Sequence, residues 1–227
     1  MEQLKPSIFQ KSWTYLAKNN TDMKYLKNIL IIILVVDCTI LSAQTTDVKA
    51  ELATAKSSYT SGNLEEARFA LERSLNELNN VIAKEIRVLL PDQLGGMPAF
   101  NPDDESTGNI GGAGIFVSRT YKEGELREAE VTISDHNPMI AMVNTFLSNS
   151  MLTSVVMAES GQKSVKVNGY KGMLQESESD DGGLAFSINI PFGDSLLTLE
   201  TEGIDSEDDA LAMAEEVPID KMAELVK

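Results

Sequence analysis

Ser195, His136 and the chain's many carboxylates are the side chains whose types could support acid–base or nucleophilic chemistry. Ser195 stands in Gly193-Asp194-Ser195-Leu196. A serine becomes a nucleophile only when a base lies within hydrogen-bond reach and a third group orients that base. The sequence holds one histidine, His136, in Asp135-His136-Asn137-Pro138. Asp135-His136 can be read as a base with its orienting carboxylate. Yet it precedes Ser195 and stands at a helix start, where a lone histidine is usually a surface or capping residue. No histidine follows Ser195. Gly193-Asp194 is therefore expected to be a hairpin turn, and no catalytic residue is assigned.

The acidic clusters are Asp103-Asp104-Glu105, Glu176 to Asp181 and Glu202 to Asp209. None has the spacing of a twelve-residue calcium loop with its closing glutamate. They read as solvated loops or helix starts, where carboxylates are favoured. A histidine-based metal site needs partners that this sequence lacks. Gly111-Gly112-Ala113-Gly114 precedes a strand rather than opening a helix, so it lacks the geometry that cradles phosphate. No cofactor is expected.

Lys and Arg total 19 against 35 Asp and Glu. From Gln44 onward, 14 basic and 32 acidic residues leave a net charge of −18. Such a field repels nucleic acid and anionic membrane surfaces, and permits cationic partners or Ca²⁺.

The start of the chain carries an export pattern. Met23-Lys24-Tyr25-Leu26-Lys27 gives a basic start, Ile29 to Val36 an apolar run, and Leu41-Ser42-Ala43 a small-residue cleavage site. A bilayer span takes roughly 20 apolar residues. Ile29 to Leu41 falls short, and Asp37 interrupts it. Residues 23–43 are thus expected to be a cleaved signal peptide, with an uncleaved anchor as the alternative and no stable membrane span after cleavage. Lipidation of Cys38 wants a small residue before the cysteine, where Asp37 stands. Residues 1–22 resemble no part of a signal, and the expected start is Met23. Cys38 is the chain's one cysteine. Its removal would leave no disulfide and no thiol chemistry.

Residues 45–90 read as a helical hairpin. Thr46 to Tyr59 is rich in Ala, Lys and Glu, Gly62-Asn63 breaks it, and Asn63 is a candidate N-cap. Leu64, Ala67, Leu71, Leu75, Leu78, Ile82, Ile86 and Leu89 then recur at steps of three and four until Pro91. Residues 91–114 are rich in Gly and Pro and read as a linker. From Ile115 the period changes to two. Hairpin signals, including Asn168-Gly169, separate the strands. Asn137-Pro138 opens a helix carrying Met139, Met142, Phe146, Met151 and Met157. Asp205-Ser206 caps a last helix that Pro218 interrupts. The expected fold class is α+β: an N-terminal helical hairpin, then over 115–227 a mainly antiparallel sheet in the order ββαββββα with helices packed on it.

Three resemblances attach to these residues. Tyr59, Gly62, Leu64, Ala67 and Leu71 resemble one tetratricopeptide repeat, where a stack needs several. Gly193-Asp194-Ser195-Leu196 resembles the nucleophile block of GDSL esterases, which carry it near the start of their domain with the triad histidine near the end. The position and the missing histidine leave that esterase a remote alternative. Val165-Lys166-Val167-Asn168-Gly169-Tyr170-Lys171-Gly172, with two further strands and a terminal helix, resembles a domain of exported bacterial proteins similar to Mog1/PsbP-like domains and, less closely, to lipoprotein-carrier folds. That resemblance implies binding or assembly and no catalytic residues. The expected function is an exported, non-enzymatic binding or assembly module of the cell envelope, with an envelope protein or a second copy as partner. The alternative is a carrier holding an apolar lipid or peptide between the methionine-rich helix and the sheet. The candidate surface comprises Leu64, Leu71, Leu75, Leu78, Ile82, Met139, Met142 and Phe146.

Overall fold

A computed structural model describes residues 46–108, 114–148, 161–179 and 182–226. The expected signal peptide, the segment before it, and Met151 and Met157 lie outside these residues.

Two helices open the described chain, α1 (Thr46–Thr60) and α2 (Leu64–Leu89). Gly62 turns the chain at φ +80°, a backbone angle that glycine adopts at little cost. Asn63 caps α2, its side chain accepting from the Glu66 N–H at 3.3 Å. Glu65 and Glu66 lie in the first turn, where they complement the exposed N–H groups. Leu90 leaves the helix in extended conformation before Pro91. Pro91 disfavours helical geometry in the residue before it.

The sheet has seven strands in the spatial order β3 (Glu105–Thr107), β4 (Phe116–Glu123), β5 (Arg127–Asp135), β9 (Ser195–Glu202), β8 (Leu184–Phe192), β7 (Tyr170–Glu178) and β6 (Gln162–Val167). Every neighbouring pair is antiparallel. Helix α3 (Met139–Ser148) lies on the connection from β5 to the far edge strand β6, against β7, β8 and β9. Helices α4 (Glu207–Glu216) and α5 (Ile219–Leu225) close the chain.

Register decides which face is core. Arg119, Val131, Leu199, Ile188 and Leu174 form one row across five strands. This face is apolar, and its residues join Ala83, Ile86 and Leu90 from α2 and Met213, Val217, Ile219 and Met222 from α4 and α5 in one cluster. The next row, Ser118, Thr132, Thr198, Asn189 and Met173, points the other way. It is mostly polar, as the period-two pattern requires. Val143 is the buried residue of α3.

The α+β class and the antiparallel sheet match expectation, but the order of elements does not. The segment 91–107 contributes strands of its own. β1 (Gln93–Leu94) and β2 (Met97–Pro98) pair around Gly95-Gly96, both at positive φ, and β3 joins the main sheet. Two-residue strands carry no readable alternation. They are held because Leu94 and Met97 are fully buried in the core. The final helix is two helices, because Pro218 separates α4 from α5.

Candidate functional site

The predicted leucine stripe divides in two. Its C-terminal part is core: Ile86 is buried, and Ile82 and Leu89 pack against the cluster. Its N-terminal part faces solvent, with Leu64 64%, Leu71 54%, Leu75 57% and Leu78 47% exposed. The side of α2 that meets α1 is a different one, made by Ala67, Ala70 and Ser74. These small residues let the two helices approach closely. Opposite them, Ala55 is the buried residue of α1.

Leu52 and Tyr59 of α1 are also exposed. Successive residues of a helix turn by about 100°. On two antiparallel helices joined by a short turn, that rotation brings Leu52 and Tyr59 to the same side as Leu64, Leu71, Leu75 and Leu78. The hairpin therefore presents one apolar face built from both helices. Soluble surfaces rarely carry such contiguous apolar patches without a partner.

Charge is divided as sharply. Residues 46–90 hold six basic and seven acidic residues, a net −1. Residues 91–227 hold eight basic and 25 acidic residues, a net −17. Nearly all of the acidic excess lies outside the hairpin. On the hairpin, Arg73 lies 2.8 Å from Glu51 and 3.1 Å from Glu66, and Arg68 lies 3.6 Å from Glu72.

The other predicted surface residues lie on α3. Met139 and Met142 are exposed, and Phe146 is half-buried. An open groove of about 500 Å³ runs beside the end of α3, lined by Asn144, Leu147, Ser148, Lys171 and Pro191. Met139, Met142 and Phe146 are not among its lining residues.

Ser195 and Asp135 do meet. They are directly paired where β5 and β9 end, and the Ser195 hydroxyl donates to Asp135 Oδ1. Ser195 is 1% exposed. His136 is exposed, adopts φ +52°, and its N–H donates to the Asp194 carbonyl at 3.0 Å. Its imidazole is not the partner of Ser195. The arrangement ties two strand ends together, and the group that accepts from the serine hydroxyl is a carboxylate rather than the imidazole. Sequence reasoning saw these residues but not their pairing, which depends on β5 lying beside β9.

Among the described residues no group of three or more His, Cys, Asp and Glu gathers to hold a metal ion. None of the described helices is long and apolar enough to cross a membrane. Compared with known protein families, curated proteins and solved structures, the chain matches none.

Proposed function

We propose that this chain is an exported, non-enzymatic binding or assembly module of the bacterial cell envelope, and that it engages a protein through the leucine face of its helical hairpin. One observation carries the reading. Leu64, Leu71, Leu75 and Leu78 stand exposed on a helix that buries Ala67, Ala70 and Ser74 on another side and joins the core through Ala83 and Ile86. Leaving leucine in water forgoes roughly 1.5–3 kcal/mol for each side chain that burial would stabilise. Four on one face, joined by Leu52 and Tyr59, favour a surface that is covered when the protein works. The export pattern at residues 23–43 supports the envelope as the setting, and the net charge of −17 outside the hairpin favours keeping that body apart from anionic surfaces.

A photo-crosslinking residue at position 71, expressed in the native cell, tests this. The expected result is a discrete crosslinked protein species in the envelope fraction. The same residue placed at Lys221, on α5, should give none. Equal labelling from both positions, or none from position 71, would remove the leucine face as the binding surface.

A further inference from the structure

We infer that the occupant of the leucine face is a second copy of this chain, packed hairpin to hairpin as an antiparallel four-helix bundle. The inference rests on the binding-module reading and names its partner.

Leu64, Leu71, Leu75, Leu78 and Ile82 follow a heptad, with leucine at d (64, 71, 78) and Leu75 and Ile82 at a. Two helices that carry such a seam interdigitate its side chains. The seam is offered over the length of α2 that α1 accompanies, from Leu64 to about Leu78. Beyond it, Ile82, Ile86 and Leu89 already belong to the chain's own core. Exposed and buried parts are thus one continuous stripe, and a second hairpin extends a packing surface the fold already uses. Leu52 and Tyr59 widen the face, so the unit that fits it is a pair of helices rather than a single one.

Charge selects the partner and its direction. A strongly acidic chain opposes self-association wherever its acidic surface is brought together. Residues 46–90 are nearly neutral, so two hairpins meet without that opposition, while residues 91–227 carry the net −17. Parallel pairing would put both acidic bodies at the same end of the bundle. Antiparallel pairing puts them at opposite ends. In the antiparallel a-to-d register, Leu71 faces Leu75 of the second copy, and Leu75 faces its Leu71. The one charged residue in the seam, Arg68, has Glu72 of its own helix 3.6 Å away.

Sedimentation equilibrium of the full chain, from micromolar to sub-millimolar concentration, tests the inference. Wild type is expected at twice the mass of one copy. Leu71→Glu and Leu75→Lys, each alone, are expected at the mass of one copy with unchanged circular dichroism, since both side chains are exposed in the single chain. Mixing the two variants is expected to restore a one-to-one dimer, because residue 71 faces residue 75 of the other copy. A wild type that stays at one copy throughout overturns the inference, as does a dimer that persists in Leu71→Glu. A dimer lost in both variants but not restored on mixing overturns the antiparallel register. If wild type is a single copy yet position 71 still crosslinks to an envelope protein, self-association fails and the binding-module reading stands. If position 71 crosslinks to nothing, both fail.

Discussion

Arg119 on β4 and Asp104, just before β3, form a buried pair in which the guanidinium reaches both carboxylate oxygens. Nη2 lies 2.8 Å and Nε 3.1 Å from Oδ2, with Nε 3.2 Å from Oδ1. The side chains are 9% and 5% exposed. Arg119 Nη1 also donates to the Leu90 carbonyl at 2.9 Å. The residue therefore ties β4 to the end of α2 and to the segment that follows. Burial alone would lower the Arg119 pKa. The hydrogen bonds and charge of Asp104 outweigh it, and the net shift is upward.

Removing one partner leaves the other charge buried without its close counter-charge, Asp104 keeping only Arg87 at 3.7 Å, which costs about 3–5 kcal/mol. Asp104→Asn and Arg119→Met are each expected to lower stability by an amount in that range in urea unfolding. The double variant should cost less than the two single losses added together, because it strands no charge. Strict additivity would show that the pair is not coupled. Hydrogen exchange should also quicken in the last turns of α2.

Tyr121 stands two residues along β4, fully buried, and donates its hydroxyl proton to the Pro91 carbonyl at 2.9 Å. Burial pushes its pKa well up, against a smaller lowering by Arg119. The folded protein thus holds this proton where the unfolded chain releases it. The sign follows: the stabilisation is fully present below the ordinary tyrosine value of about 10 and is lost as pH rises above it. A native titration followed at 295 nm should show Tyr121 silent while the fold persists, and its phenolate should appear together with unfolding. Ionisation of Tyr121 near the ordinary tyrosine value of about 10 while the fold persists would contradict this.

Ser195 gives a prediction that separates structure from chemistry. Ser195→Ala removes the hydrogen bond to the Asp135 carboxylate and should cost about 1.5–3 kcal/mol, the range for bonds to charged groups. A screen with short-chain nitrophenyl esters should find no turnover in wild type. Turnover that disappears in Ser195→Ala would reinstate the esterase.

How much of this was readable in advance follows from which contacts are local. Asn63 as a cap and Asn168-Gly169 as a turn depend on a few neighbouring residues, so the sequence shows both. The longer strands show through alternation. Leu94 and Met97 do not, since each flanks the Gly95-Gly96 turn in a strand of only two residues and is held by burial from elsewhere in the chain. The split of the leucine stripe is equally hidden. Leu75 and Ile86 obey the same period, and only the position of the sheet decides that Ile86 is core and Leu75 is not. Ser195 and Asp135 are 60 residues apart, and nothing in either local sequence announces that their strands adjoin.

Asn168 combines a legible role with a hidden one, and substitution can separate them. It adopts φ +50° at the tip of the β6–β7 hairpin, a conformation that asparagine tolerates and most residues resist. Its side-chain amide also donates to the Glu215 carbonyl at 2.9 Å and the Val217 carbonyl at 3.3 Å. These bonds pin the hairpin to the end of α4, where helix carbonyls lack partners. Asn168→Gly keeps the turn and loses the pin, at an expected cost of about 1 kcal/mol. Asn168→Ala loses the pin and adds left-handed backbone strain of roughly 1–2 kcal/mol. Thermal and urea unfolding should therefore rank asparagine above glycine and glycine above alanine. A glycine variant as stable as wild type would show that the two carbonyl bonds add nothing, and an alanine variant equal to glycine would show that the turn does not need the left-handed residue.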